Sequence, residues 1–155
     1  MVSLAEAIAA DKDALADYLA TTTELAGATV SSAALDEPPS RDIVILGDAT
    51  IPQDNVGYQT REGRPSVTGW VIVQRPEGGE TAIRATRRTA AAYMGAIERA
   101  VKAINADPVA AGMTALQGSF KVTTSAMPES PSIWQGQAAR QAQVSFTVSW
   151  MSHSS

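Results

Sequence analysis

The chain has 155 residues, 45% hydrophobic and 18% charged, with a formal net charge of −4 and no cysteine. That length suits one domain with a core that needs no staples, and the lack of cysteine excludes disulfides, thiolate metal sites and cysteine nucleophiles. The acidic balance disfavours general nucleic-acid binding, which needs a basic surface. Charge is unevenly spread: residues 1–60 hold ten acidic and two basic side chains, a net of −8, and residues 61–155 hold six and ten, a net of +4. Such a split gives either two faces of opposite sign or neutralisation inside one monomer. The N-terminus lacks the basic segment and apolar run of a signal peptide, and no stretch is long and apolar enough to span a bilayer, so the expected location is the cytoplasm of the cell that makes the chain.

Ser3 followed by Glu6 is a reciprocal helix cap. Leu4, Ile8, Leu15 and Leu19 then form one stripe, predicting a helix over Leu4–Ala20 with Asp11, Asp13 and Asp17 on its solvated side. After a stretch broken by Pro38-Pro39, the run Ile43–Leu46 reads as a strand closed by Gly47-Asp48. Asp48–Pro65 is polar and rich in Gly and Pro, and reads as a long loop or irregular hairpin. In Ser66–Arg75, Val67, Val71 and Val73 share one face and Trp70 and Ile72 load the other, so that strand is expected to be central or covered on both sides.

Ile83, Ala90, Met94, Ile97, Val101 and Ile104 repeat at helical spacing and predict an alanine-rich helix over Thr81–Ala106, broken at Asp107-Pro108. The alanines at 90, 91, 92, 96, 100 and 103 let another backbone come close, with its own sheet the simplest partner. Gly112 releases the chain into a strand where Leu116, Gly118, Phe120 and Val122 alternate with Gln117, Ser119, Lys121 and Thr123. A last strand alternates Val144, Phe146, Val148 and Trp150 with Gln143, Ser145, Thr147 and Ser149. These two strands are expected to pair antiparallel, apolar faces on the long helix and polar faces toward solvent, a channel or another subunit. The fold class is therefore α+β: one domain over 1–155, an antiparallel or mixed sheet of about four strands on the long helix, plus the N-terminal helix.

No residue pattern predicts catalysis, a cofactor or a metal. The one histidine, His153, sits close to a polar C-terminal end, a poor foundation for a base or ligand. Gly78-Gly79 lacks the lysine and spacing of a phosphate loop, and no serine has a usable base. Two features suggest contacts instead. Arg84, Arg87 and Arg88 gather where the helix dipole adds to their charge, so acidic partners are expected nearby, either Glu80, the acidic first helix or a neighbouring subunit. The connection Met127–Ala138 reads as a long hairpin loop in which Ile133 and Trp134 either fold back or anchor a partner.

An N-terminal helix, a strand ending near Arg75, the helix Thr81–Ala106, the Asp107-Pro108 to Gly112 turn and a closing hairpin together resemble the tail terminator, or tail-completion, proteins of long-tailed bacteriophages. The resemblance covers nearly the whole chain. It implies a non-enzymatic virion subunit, made in the host cytoplasm, that forms a ring, usually of six copies. The ring caps the finished tail tube and joins it to the neck. Its implied partners are copies of itself, the tail-tube protein and the neck or connector protein, with DNA passing through without specific binding, and no cofactor and no membrane. On that reading Arg84, Arg87, Arg88, Ile133 and Trp134 contact a neighbour, and Gln117, Ser119, Lys121, Thr123, Gln143, Ser145, Thr147 and Ser149 line the lumen. A neck or tail-tube subunit is the nearest alternative, and a small cytoplasmic enzyme or ligand-binding domain is the alternative of another class.

Overall fold

Ser3 caps the first helix in both directions: its hydroxyl accepts from the Glu6 amide at 3.1 Å, and the Glu6 carboxylate accepts from the Ser3 amide at 2.8 Å. The computed structural model describes residues 3–32, 42–50, 53–55, 61–76, 79–112, 119–134 and 137–153; residues 53–55, 61, 62, 76, 129–134, 137, 138 and 153 are described by their backbone alone. Helix α1 spans Leu4–Thr21 and buries Leu4, Ile8, Leu15 and Leu19. A 3₁₀ turn, Thr23–Leu25, buries Leu25. Strand β1 (Thr29–Ser31) leads to β2 (Asp42–Thr50), β3 (Gln53–Asn55), β4 (Arg61–Gly63) and β5 (Ser66–Pro76). Helix α2 covers Gly79–Ala106, followed by β6 (Lys121–Ala126), β7 (Glu129–Trp134), β8 (Gln137–Ser149) and β9 (Ser152–His153).

The main sheet has six strands in the order β1-β2-β5-β8-β6, with β7 also paired to β8. Only β1 and β2 run parallel. Because β5 occupies one edge of β8 along Ala139–Ser149, β6 and β7 share the other edge, taking 145–149 and 137–142 in turn. β3, β4 and β9 form a small second sheet.

Both described helices cover one face of the main sheet. α2 lies over β5 and β8 and reaches β6, while α1 contacts β1, β4 and β9. Their stripes meet Val44, Leu46, Val67, Val71, Val73, Val144, Phe146 and Val148 in one core. The alanines of α2 divide: Ala90, Ala96 and Ala100 are buried, and Ala91, Ala92 and Ala103 are exposed. At the far end Asn105 pins the entry to β6, donating to the Phe120 carbonyl at 3.0 Å and accepting from its amide at 2.9 Å. Gly112 turns the chain with φ +82°, and the Phe120 and Trp150 rings pack at a tilt of 54°, centroids 5.1 Å apart.

The α+β class, both helices, the central position of β5 and the antiparallel β6–β8 pair match the sequence expectations. The sheet is wider than four strands. Met127–Ala138, expected as a loop, contains β7, whose Pro131 is tolerated because an edge strand leaves one row of amides unused. Asp48–Pro65 holds the end of β2 and the hairpin β3–β4. The Pro38-Pro39 stretch and residues 116–118 lie outside the described residues.

Asp11 corrects the reading that put it on a solvated face. It stands two turns after Leu4 and one turn before Leu15, on the buried stripe, and is 2% exposed. Trp150 Nε1 donates to its carboxylate at 3.2 Å. Burial raises the Asp11 carboxyl above its ordinary 3.8, and the hydrogen bond from Trp150 offsets this only in part. The folded chain therefore binds this proton more tightly than the unfolded chain, so this contribution to stability is fullest below about pH 4 and is lost as pH rises through the raised value. We expect Asp11→Asn to remove that fall, leaving the variant as stable as the parent or more so at pH 7; urea unfolding of both chains between pH 3.5 and 8 measures it.

Candidate assembly interface

The register places most of the expected lumen residues on one surface. Lys121 lies opposite Ser149 and Thr123 opposite Thr147, while Ser145 and Gln143 lie opposite Trp70 and Ile72. With a side-chain period of two, all six residues of β6 and β8 share the sheet face turned away from α1 and α2. Ser119 is exposed just before β6, and Gln117 lies outside the described residues. This face is not uniformly polar. Ile43 and Ile45 of β2 pair with Ile72 and Trp70 of β5 on the same side, Ile43 buried and the other three half-buried. Across it Gln74 donates to Gln141 at 3.0 Å and Gln141 to Gln143 at 3.5 Å, a row of amides that can equally meet water or another polar surface.

Arg84, Arg87 and Arg88 are all exposed near the start of α2. Arg84 meets Glu80 one turn earlier, at 2.7 Å, rather than the acidic first helix. This solvated i,i+4 pair stabilises by only about 0.3–0.5 kcal/mol. A second tie joins the two halves of opposite charge: Glu24 in the 3₁₀ turn holds the Arg99 guanidinium through Nε and Nη2. That contact lowers the Glu24 carboxyl and raises Arg99. Ile133 and Trp134 end β7, their backbones opposite Ala138 and Gln137, and their side chains lie outside the described residues.

A polar hub that sequence reasoning missed lies where β2, β5 and α2 converge. Asp42, 6% exposed, accepts from Arg75 at 2.5 and 3.2 Å and from the Tyr93 hydroxyl at 2.6 Å. Burial, then the hydrogen bond and charge of Asp42, push the Tyr93 phenol up to about 12. The geometry locks three elements together. The chain offered one signal for it, an acid at the mouth of an apolar strand, Asp42 before Ile43–Leu46.

At the β6 end of the sheet an open groove of about 370 Å³ runs between α2 and β6, lined among others by Gly95, Glu98, Lys102, Asn105, Phe120 and Val122. Asp48 is exposed on β2, and the side chain of Asp54 on β3 lies outside the described residues. His153 pairs through its backbone with Glu62, and its side chain also lies outside them. Among the described residues no three His, Cys, Asp or Glu side chains stand together as a metal site, and no helix is long and apolar enough to cross a membrane.

No protein-family model matches the chain, and no curated protein matches it. Among solved structures it is similar to a chain from the virion of a native gene transfer agent particle, with a TM-score of 0.50 and 15% identity over 92% of this chain and 96% of that one. The likeness is one of fold, and it extends over nearly the full length of both chains.

Proposed function

We propose that the chain is a structural subunit of a phage-like virion, and specifically a tail terminator whose ring, of about six copies, closes the tail tube and meets the neck. The observation that carries this reading is a largely polar sheet face that no helix covers among the described residues, set opposite a two-helix layer, in a fold similar to that of a virion chain. A ring around DNA needs an inner wall that does not stick to phosphate. Ser119, Thr123, Gln143, Ser145, Thr147 and Ser149 offer such a surface, with Lys121 as its one cation among these positions. A ring also needs two different complementary faces on each copy, and the split of charge between the two halves of the chain suits that demand. The partners on this reading are further copies, the tail-tube protein and the neck protein.

Light scattering of the purified protein, followed by negative-stain imaging, tests the reading. Closed rings of one size are the expected result; open tubes point to a tail-tube subunit, and a monomer at every concentration overturns assembly altogether. Exchanging charge in Arg84→Glu/Arg87→Glu is expected to shift the ring toward smaller species, and an unchanged mass removes the arginine cluster from the contact.

A further inference from the structure

The two helices carry opposite charge on their outward sides, α1 lying against β1 and α2 over β5 and β8. On α1, Glu6, Asp13 and Asp17 are exposed on the side away from the buried stripe of Leu4, Ile8, Leu15 and Leu19, with exposed Ala10 between them. Lys12, half-exposed, is the one base on α1. On α2, Arg88, Gly95 and Lys102 recur every seventh residue along the outward side, with exposed Ala91 and Ala92 between them and Glu98 and Arg99 beside Lys102. Arg99 is held by Glu24. Among the described residues no ion pair engages Asp13, Asp17, Arg88 or Lys102. The groove beside Lys102 has Phe120 and Val122 in its lining, so an incoming helix would find apolar as well as charged surface there.

We infer that α1 of one copy docks along α2 and its groove on the next copy, the acidic row Glu6, Asp13 and Asp17, about 16 Å long, facing Arg88 and Lys102, about 21 Å apart. The inference rests on the assembly reading above and names its contact. The exposed Ala91 and Ala92 let two helix axes approach to about 8–10 Å, beside the Arg99 guanidinium that lies over Gly95. Because α1 lies against β1 and α2 over β5 and β8, the contact joins two different surfaces of the subunit. It is heterologous and repeats from copy to copy, as a closed ring requires.

Charge exchange tests it by light scattering and sedimentation. Asp13→Lys/Asp17→Lys makes both docking surfaces basic, and Arg88→Glu/Lys102→Glu makes both acidic. Each variant alone is expected to self-associate at least about tenfold more weakly than the parent, since like charges then face each other. An equimolar mixture of the two is expected to recover the parental mass, as is a chain carrying all four changes. If far-UV circular dichroism shows either variant unfolded, the neutral changes Asp13→Asn/Asp17→Asn and Arg88→Gln/Lys102→Gln take its place, with weaker association expected from each. A parental ring left intact by both variants, or no recovery on mixing and in the four-site chain, overturns the docking and leaves the assembly reading standing. A parent that is monomeric at every concentration overturns both.

Discussion

Phe146→Ala is expected to destabilise the fold by about 3–5 kcal/mol, the range for removing a fully buried aromatic ring. Phe146 has no exposed surface and lies in the core between the sheet and the helices. Its ring passes over Gly69, directly opposite on β5. A Cβ on Gly69 would collide with Phe146 Cζ, closer than real atoms approach. Gly69→Ala alone is therefore expected to cost about 1–3 kcal/mol through overpacking. In the Phe146→Ala background most of that cost disappears, because the colliding ring is gone, although the Ile45 carbonyl, 3.0 Å from the same Cβ, keeps the cycle from closing completely. Denaturant unfolding of the parent, both single variants and the double variant measures the coupling. Additive losses would show that the ring does not occupy the space the glycine leaves.

Asp42→Ala is expected to cost about 3 kcal/mol, because a buried ion pair broken from one side leaves its other charge uncompensated. The substitution leaves the Arg75 guanidinium without its carboxylate and the Tyr93 hydroxyl without its acceptor. Breaking such a pair costs about 3–5 kcal/mol in general, and the lower end applies because the Arg75 side chain is 22% exposed. Tyr93→Phe is expected to cost about 1.5–3 kcal/mol, the worth of one hydrogen bond to a charged group. The phenol supplies an independent readout. With Asp42 replaced by alanine, Tyr93 should titrate below its value of about 12, yet still above its ordinary 10.0, because burial is the largest cause of its shift. An ultraviolet titration that leaves the phenol unmoved would disprove the hub.

The elements legible in the chain were those whose pattern is long and local. α1 announced itself by a reciprocal cap, α2 by apolar spacing over many turns, and β5, β6 and β8 by alternation. Alternation also gathered Lys121, Thr123, Gln143, Ser145, Thr147 and Ser149 on one face before any pairing was known, since residues two apart on a strand point the same way. That Ile43, Ile45, Trp70 and Ile72 join them could not be read in advance, because it depends on which strands become neighbours. β1 is too short to show a period, and the proline in β7 argued against a strand until its edge position was known. The Asp42 hub unites residues 33 and 51 positions apart, and no local pattern marks such a meeting.

The position of β8 in the sheet has a consequence for biosynthesis. The strand that ties β5 to β6 leaves the ribosome after both of them, and its bond from Gln74 to Gln141 spans 67 residues. Such distant closure is slow, and little rewards it until both strands are present. A nascent chain that stops short of β8 has α2 in hand but neither the mosaic polar face nor a sheet to hold the groove beside it. The polar sheet face of β6 and β8 thus comes into being only once β8 has emerged and paired, so a polypeptide cut off before it carries both helices but lacks that surface.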